Sequence, residues 1–330
     1  MKVHVVITTI FPPSSAVRAF AQRKDVHVVV VGDRKTPRGW SCPGVDFLPF
    51  EDQPALSPQL AGCLPPDHYA RKMLGYVHAM RQGADLIFDT DDDNAPLESW
   101  HIPDCEGIHA CTPPDLGFVN VYRSFTSEHI WPRGFPLRFV NDPRTILADQ
   151  QLAGARVRVG VWQGLVDGEA DVDAIYRLTV GRQCHFNRRH PVVLGYGSIC
   201  PFNSQNTFFH RQAFPLLFLP AQVTFRFTDI LRGLVAQPAL WAAGLHVGFR
   251  AADVRQERNS HDLLADFRAE IPCYLLSDSI LEHARGQVHP GRSVAENLHA
   301  VYEELVRQGI VPPDELERLE VFLQEVKRTS

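Results

Sequence analysis

Four aspartates lie within five residues of the chain, and this acidic segment has the clearest chemical potential. Asp89, Asp91, Asp92 and Asp93 directly follow the apolar run 86–88. Carboxylates this close together repel one another unless a cation lies among them. In a turn after a strand, Asp91 and Asp93 would project to one side while Asp92 points away. Two such oxygen donors suit Mg²⁺ or Mn²⁺, and a solvated turn is the alternative.

Two basic residues lie near the predicted start of a helix and could bind an anion. Arg71 and Lys72 follow Asp67, a candidate helix cap, by about one turn. The positive end of the helix dipole disfavours cations at this place, and a bound anion would relieve the repulsion. A diphosphate held by the helix end, both cations and the metal would meet this need. Alternatively, the two side chains pair with the acidic segment or with solvent.

Polar residues also follow the first two apolar runs of the chain. Thr8 and Thr9 end the first run, and Asp33 and Lys35 follow the second. The Asp33 carboxylate could accept hydrogen bonds from a base or a ribose. Together with Asp92, these residues form the rim of the predicted donor site. A simple turn that ends the strand is the other interpretation of Asp33.

Two segments in the second half of the chain could bind a sugar. Asp171 and Asp173 could accept hydrogen bonds from sugar hydroxyls while Arg177 meets phosphate. Alternatively, Asp173 caps a short helix and pairs with Arg177. A later polar loop carries Asn203 and Asn206 between aromatic residues. This combination is typical of sugar binding and also of ordinary turns.

The segments that must position these residues alternate between strand and helix patterns. Such alternation predicts an α/β fold with a buried parallel sheet, whose strands bind ligands at their carboxyl ends. The predicted strands are 3–8, 26–31, 45–50, 84–88, 157–161, 192–196 and 246–249. The predicted helices are 12–24, 67–83, 230–243 and two more between 294 and 327.

Composition and missing motifs exclude several other functions. The 330-residue chain has a formal net charge of −5 and lacks the basic stripe typical of nucleic-acid binding. No apolar run approaches the roughly 20 residues of a membrane span, and MKVHVVITTI predicts a strand rather than a signal peptide. Seven scattered cysteines fit a reducing compartment, so we expect a cytoplasmic protein. No glycine-rich dinucleotide motif, P-loop or hydrolase nucleophile elbow occurs.

Six segments, taken in order, resemble the STELLO family of glycosyltransferases. The resemblance covers residues 3–275 and leaves the C-terminal helices outside. Its segments are VVVVGDRKTPRGW, DHYARKMLGYVHAM, LIFDTDDDN, DGEADVDAIYRLT, PFNSQNTFF and RNSHDLLADF. A fainter similarity links the chain to reversibly glycosylated polypeptides, which are UDP-arabinopyranose mutases. The STELLO resemblance implies a GT-A-like mixed sheet, in which an Asp-Xaa-Asp motif, matched here by Asp91 and Asp93, holds a divalent cation.

Pattern and resemblance together suggest a domain organisation. A GT-A-like domain would cover residues 1–278, and a helical extension would cover residues 279–330. Within the first domain, residues 1–94 would form the nucleotide-binding half and residues 95–278 the sugar and acceptor half. Along the chain we therefore expect first the residues that bind the donor nucleotide, then those that bind the sugar and the acceptor, and last a helical appendage.

The resemblance also implies two further site residues and a reaction. A carboxylate at a helix start would act as general base toward the acceptor hydroxyl, and Asp229 is the candidate, with a helix cap as its alternative. His261 would be a third metal ligand or contact the diphosphate, unless its role is structural. We expect a Mn²⁺- or Mg²⁺-dependent transfer of sugar from a nucleotide-sugar donor, a UDP-sugar, to a glycan or other hydroxyl acceptor. A UDP-sugar mutase and a non-catalytic nucleotide-binding scaffold are the alternatives.

Overall fold

A large mixed β-sheet forms the centre of the molecule. The computed structural model describes residues 1–187, 189–256 and 262–329. Its strands are β1 (Val3–Thr8), β2 (His27–Val31), β3 (Val45–Leu48), β4 (Leu86–Thr90), β5 (Asn94–Pro96), β6 (Glu106–Cys111), β7 (Gly117–Phe118), β8 (Ala153–Gly168), β9 (Val192–Val193), β10 (Ser198–Ile199), β11 (Asn206–His210) and β12 (His246–Gln256). Ten of them form one sheet in the order β3-β2-β1-β4-β11-β8-β6-β9-β12-β5, and β7 pairs with β10.

Helices cover the sheet and make up the end of the chain. The α-helices are α1 (Ser15–Ala21), α2 (Gln53–Leu56), α3 (Pro58–Cys63), α4 (Lys72–Arg81), α5 (Tyr122–Phe125), α6 (Ala174–Thr179), α7 (Phe225–Ala242), α8 (Leu263–Gln287), α9 (Val294–Arg307) and α10 (Asp314–Arg328). Short 3₁₀ segments occur at Phe50–Asp52, Tyr69–Arg71, Leu137–Phe139, Pro143–Thr145, Asp149–Gln151 and Arg211–Leu217. In the described part of the chain, no helix combines the length and apolar character that a membrane crossing requires.

Both faces of the sheet are buried around β1, β2 and β4, which explains why these strands are largely apolar. Val6 belongs to the core beneath α4, whereas its neighbour Val5 belongs to the core on the α1 face. Helix α4 approaches the sheet closely at Gly75, where an added Cβ atom would lie 2.6 Å from methyl groups of both Val6 and Val31. The predicted α/β class, with a mixed sheet flanked by helices, is confirmed.

The parallel strands bring the polar residues that follow them to one edge of the sheet. Strand β1 pairs with β2 on one side and with β4 on the other, and all three run in the same direction. Thr8 at the end of β1 is opposite Val31 at the end of β2. The segments after β1, β2 and β4 therefore meet at the carboxyl edge, where open α/β sheets bind ligands.

Several predicted elements exist with different bounds. The strand predicted over 157–161 is part of the 16-residue β8, and the one over 246–249 is part of the 11-residue β12. The strand predicted over 192–196 has only two residues. Helix α7 begins at Phe225 rather than near residue 230 and continues through Pro238. The full length of β8 was not predicted, because its two halves follow different patterns. The first half alternates between exposed and half-buried side chains, and the second half is buried on both faces.

The start of the second predicted helix differs in its cap. We expected Asp67 to be the cap, and this was wrong, because Asp67 has a left-handed backbone with φ of 52°. The Nδ1 atom of His68 instead accepts the backbone N–H of Ala70 at 3.0 Å. A 3₁₀ turn over Tyr69–Arg71 follows and leads into α4. An imidazole nitrogen thus has the role that we assigned to a carboxylate.

The predicted C-terminal helices α9 and α10 are confirmed, and they pack against the rest of the molecule. Tyr302 of α9 is fully buried, with its ring edge-on to Phe218. Glu315 of α10 accepts the backbone N–H of Ala221 at 2.9 Å. The 25-residue α8, which we did not predict, runs continuously through residue 278. The domain boundary at that residue stays a prediction.

Candidate functional site

A cleft of about 330 Å³ opens at the carboxyl edge of the sheet, next to the acidic turn after β4. The structure brings together there most of the residues predicted for the nucleotide and the metal: Thr8, Thr9, Asp33, Lys35, Arg71, Asp91, Asp92 and Asp93. Tyr69, Phe225 and Gln256 also line this cleft. A larger cavity of about 950 Å³ lies at the opposite edge, between 3₁₀ segment Arg211–Leu217 and helices α9 and α10. Its lining contains none of the predicted site residues.

Asp91 is held by two donors on a single oxygen. Its Oδ1 atom accepts hydrogen bonds from the Tyr69 hydroxyl at 2.9 Å and from the Lys72 Nζ at 3.1 Å. The side chain is 31% exposed and lines the cleft. Burial raises the pKa of Asp91 above its usual value, although Lys72 opposes this effect. The second oxygen, Oδ2, has no protein partner among the described residues.

Asp93 has the same pattern with a different partner. Its Oδ2 atom accepts a hydrogen bond from Nε2 of Gln256 at 2.9 Å. Its Oδ1 atom is buried and has no hydrogen-bond partner within the described residues. Burial and the neighbouring charge of Asp91 raise the pKa of Asp93 to about 7. A buried carboxylate oxygen without a donor is a place where a positive charge is missing.

Asp92 has a separate environment, as expected from its position between the other two. Its carboxylate accepts a hydrogen bond from the Thr9 hydroxyl, and its backbone carbonyl accepts one from the Ser14 hydroxyl. These bonds tie the acidic turn to the segment after β1. Thr9 therefore acts on the turn itself, in addition to lining the cleft.

The two predicted phosphate-binding cations are both buried and already paired. Lys72 lies between Asp89, at 2.6 Å, and Asp91, so the alternative of pairing with the acidic segment describes this residue. The Arg71 guanidinium donates to the Gln53 amide oxygen at 2.8 Å and to a backbone carbonyl at 3.0 Å. Arg71 is 3% exposed and reaches the cleft only as part of its wall.

Asp33 has a structural role in the turn after β2, which is the alternative that the sequence analysis gave for it. Its Oδ1 accepts the backbone N–H of Arg34 at 2.8 Å, and its Oδ2 accepts that of His68 at 3.1 Å. The carboxylate thus joins the end of β2 to the start of the helix beside the cleft. Lys35 is exposed at the rim.

A second cavity of about 90 Å³ adjoins the first. Tyr69, Asp91, Phe225, Arg226 and Gln256 line both cavities, so the acidic turn lies between them. The second cavity is lined in addition by three of the residues predicted for sugar or acceptor, together with two that we did not predict: Asp171, Arg177, Asp229, Arg133 and Gln205.

Arg133 organises the second cavity. Its Nε donates to Asp171 at 2.9 Å, and its two terminal nitrogens donate to the two oxygens of Asp229 at 2.9 Å each. Burial would lower the pKa of this guanidinium, but the two carboxylates raise it well above its usual value. Arg133 is therefore a fixed positive charge between two carboxylates.

Asp229 lies inside the first turns of α7, not at its cap. Thr224 occupies the cap position, so the interpretation of Asp229 as a helix cap was wrong. Its Oδ2 also accepts the backbone N–H of Ser204 at 3.2 Å. The side chain lines the second cavity while both its oxygens are bound. Its role as general base stays a prediction.

Three residues predicted to contact the donor do not line either cavity: Asp173, Asn203 and Asn206. They lie behind the lining residues. Asp173 is fully buried and caps α6 through the Tyr176 N–H at 2.7 Å, so the capping alternative is confirmed. Its expected partner was wrong, because Arg177 pairs with Glu169 at 2.6 Å. The amides of Asn203 and Asn206 donate at 2.8 Å to two buried carboxylates, those of Asp171 and Asp253.

The predicted metal ligands are only partly described. His261 lies outside the described residues, five positions beyond Gln256 in the sequence. In the ranges that the structure describes, no three His, Cys, Asp or Glu side chains form a ready metal site. Asp91 and Asp93 each keep one oxygen that accepts no hydrogen bond from residues in the described ranges, and so fit two positions around a cation. The remaining ligands would come from water, a diphosphate or residues beyond those described.

Comparison with known proteins identifies relatives. A family model described as STELLO glycosyltransferases matches residues 226–330. Two Arabidopsis thaliana proteins are similar: probable glycosyltransferase STELLO2 is 30% identical over 262 residues, and probable glycosyltransferase STELLO1 is 29% identical over 264 residues. Each alignment covers 74% of this chain and 34% of the relative, so the matched region is about a third of each relative. The expectation that the C-terminal helices lie outside the resemblance was wrong, because the matched segment includes α8, α9 and α10.

Proposed function

This chain belongs to the STELLO family of glycosyltransferases, and from that premise we propose that it is a metal-dependent enzyme of the GT-A type. It transfers a sugar from a UDP-sugar to a hydroxyl group of a glycan or other acceptor. One observation carries the proposal: two carboxylates of one turn, Asp91 and Asp93, each keep one oxygen without a donor from the described residues, at the edge of a ligand-sized cleft.

Mn²⁺ or Mg²⁺ fits the chemistry of this turn. Asp91 and Asp93 would hold the cation through Oδ2 and Oδ1, the oxygens without protein donors. Once bound, the cation would neutralise charge on the departing nucleoside diphosphate. The raised pKa of Asp93 agrees with this assignment. Burial and the charge of Asp91 both disfavour a negative charge on Asp93, and a bound cation would favour it.

The two cavities divide the donor between them. The nucleotide would occupy the larger cleft, between the ends of β1 and β2, where Lys35 lies at the rim. The sugar would extend past the acidic turn into the smaller cavity, where Asp171 and Gln205 offer hydrogen-bonding groups. Phe225 is 61% exposed and lines both cavities, so it offers an apolar face for a sugar ring.

Asp229 is the carboxylate best placed to act as base. In an inverting transfer, it would take the proton of the acceptor hydroxyl while that oxygen bonds to the anomeric carbon. The bond to the diphosphate would break at the same time, and its electrons would remain on the diphosphate. Arg133 holds Asp229 in place with two hydrogen bonds, and these bonds must loosen before Asp229 can accept a proton.

A panel of nucleotide sugars with Mn²⁺ tests the proposal directly. We expect release of nucleoside diphosphate from one donor, and loss of at least about 100-fold in turnover for Asp91→Asn and Asp93→Asn. Asp104→Asn, at an aspartate outside both cavities, is the matched control and should retain activity. Full activity in both motif variants would refute the metal assignment. Ring isomers of a UDP-sugar incubated without acceptor would indicate a mutase, and absence of Mn²⁺-dependent nucleotide binding would indicate a scaffold.

We also place the protein in a reducing compartment, the cytoplasm. All seven cysteines carry free thiols in the structure, and five of them are buried. Burial raises the pKa of Cys200 to about 12, which keeps this thiol protonated and unreactive. Titration of thiols in the unfolded, unreduced protein should give seven. A value of five or fewer would indicate disulfides and contradict this placement.

A further inference from the structure

A side-chain amide is bound directly to the acidic turn and has no role in the reaction described above. Nε2 of Gln256, the last residue of β12, donates to Oδ2 of Asp93 at 2.9 Å. Its Oε1 accepts a hydrogen bond from Nε2 of Gln205 at 2.6 Å. Gln205 also donates to the backbone carbonyl of Glu169 at 3.4 Å. The result is a chain of hydrogen bonds that leads from Gln205, just before β11, through Gln256 at the end of β12 to the second aspartate of the motif.

The direction of this chain is determined by its far end. A backbone carbonyl can only accept, so the NH₂ group of Gln205 faces both the Glu169 carbonyl and Gln256. Gln256 must then receive the bond on its oxygen and present its own NH₂ group to Asp93. A donor is thereby always directed at one particular oxygen of Asp93.

The first aspartate of the motif is held in a corresponding way from another part of the fold. Lys72 and Tyr69 donate to Oδ1 of Asp91 from α4 and the turn before it. In both aspartates one oxygen is occupied, and no residue of the described part of the chain donates to the other. Partners of this kind orient metal-binding carboxylates, and their loss commonly weakens metal affinity about 10- to 100-fold.

We infer that Gln256 is a positioning residue, which fixes Asp93 so that its buried Oδ1 is presented to the cation. The inference rests on the proposed function, since it requires that Asp91 and Asp93 bind a metal. Gln256 is a better test of this arrangement than Lys72. Lys72 is fully buried between two carboxylates, so its removal would threaten folding, whereas Gln256 is half-buried at the cleft.

The test is the affinity for Mn²⁺ alone, measured by calorimetry and by the electron paramagnetic resonance signal of unbound Mn²⁺. Gln256→Met keeps the length of the side chain and removes the donor, and Gln256→Asn keeps the amide but shortens its reach. We expect both variants to bind Mn²⁺ at least 10-fold more weakly than wild type, with an unchanged unfolding transition. Gln212→Met, at an exposed position on the opposite edge of the sheet, is the matched control and should bind as wild type does.

The outcomes separate this inference from the proposed function. If the wild-type protein binds Mn²⁺ and Gln256→Met binds it within twofold, Gln256 does not position the turn, and the proposed metal site stands. If the wild-type protein itself does not bind Mn²⁺, the metal site and this inference both fail. Weak binding that is accompanied by a lowered unfolding transition in Gln256→Met, but not in Gln256→Asn, would show a structural effect and refute positioning.

Discussion

Replacement of Arg133 by methionine would remove a buried cation that pairs with both Asp171 and Asp229. Its nitrogens lie 2.9 Å from the oxygens of both carboxylates, and none of the three side chains is more than 11% exposed. Loss of one partner from a buried ion pair costs about 3–5 kcal/mol, because the remaining charge stays desolvated. Here one cation serves two carboxylates, so we expect the upper end, about 5 kcal/mol of unfolding free energy at pH 8.

The cost should depend on pH in a defined direction. Burial alone would raise the pKa of Asp171, but Arg133, together with Arg226 and Arg177, outweighs burial and lowers it. A lowered pKa supplies stability above the unfolded-state value, near 4, and this stability is lost as the pH falls through the folded-state value. In Arg133→Met much of this lowering is lost while burial still raises the pKa of Asp171, so this carboxyl gains a proton more readily on folding. The difference from wild type should therefore shrink as the pH falls from 8 toward 5.

Urea denaturation followed by tryptophan fluorescence measures this difference at both pH values. Arg138→Met is the matched control, since Arg138 pairs with Asp278 at a site where both side chains are at least 41% exposed. It should cost less than about 1 kcal/mol. Arg133→Met combined with Asp171→Asn and Asp229→Asn should recover part of the loss. A free energy of unfolding within 1 kcal/mol of wild type for Arg133→Met at pH 8 would refute the reasoning.

Two further predictions concern stability. His4 is fully buried, and burial lowers its pKa to about 4; unfolding therefore takes up a proton between pH 6.5 and 4, and wild type should lose up to about 3 kcal/mol over that range. His4→Phe should flatten this dependence in acid denaturation curves, and an unchanged slope would contradict the assignment. Gly75→Ala places a Cβ atom 2.6 Å from two valine methyl groups and should cost about 1–3 kcal/mol. Urea midpoints would show this loss, and a stabilised variant would contradict the close packing of α4.

The residues that could be predicted from sequence are those whose placement is local. The strands β1, β2 and β4 are short, apolar runs, and the acidic turn follows the last of them directly. Parallel pairing then suffices to bring Thr9, Asp33 and Asp91 to one edge. The turn predicted at Asp33 is likewise an interaction with the next residue, Arg34.

The residues that escaped prediction act over long distances in the chain. Arg133 meets Asp229 across 96 residues, and Gln256 meets Asp93 across 163. Neither stands in a local motif, and Arg133 lies in a segment with no regular apolar period. Tyr69 has the spacing of a core residue on the predicted helix 67–83, yet its hydroxyl donates to Asp91. The helical spacing of apolar residues identifies the buried face of a helix. It does not show which polar atom on that face contacts a site.

The predicted pairing of Asp173 with Arg177 shows a different difficulty. Two acceptors compete for the arginine: Asp173 lies four residues before it, about one helical turn away, and Glu169 lies eight residues before it, outside α6. Asp173 already accepts bonds from the Tyr176 N–H and the Trp131 indole, each at 2.7 Å. Arg177 therefore pairs with Glu169. The choice depends on Trp131, a neighbour that arrives from 42 residues away.

The packing of α9 on α7 has a practical consequence for anyone who shortens this protein. Helix α7 carries Phe225, Arg226 and Asp229, which line the cleft or the adjoining cavity, and its remaining turns are buried. Leu298, Val301 and Tyr302 of α9 belong to the same hydrophobic core. A protein truncated at residue 278 would end in the middle of α8 and would lack α9. The hydrophobic residues that α9 covers would then be exposed to water and would promote self-association. Recombinant protein made to study the candidate site should therefore include α9 and α10.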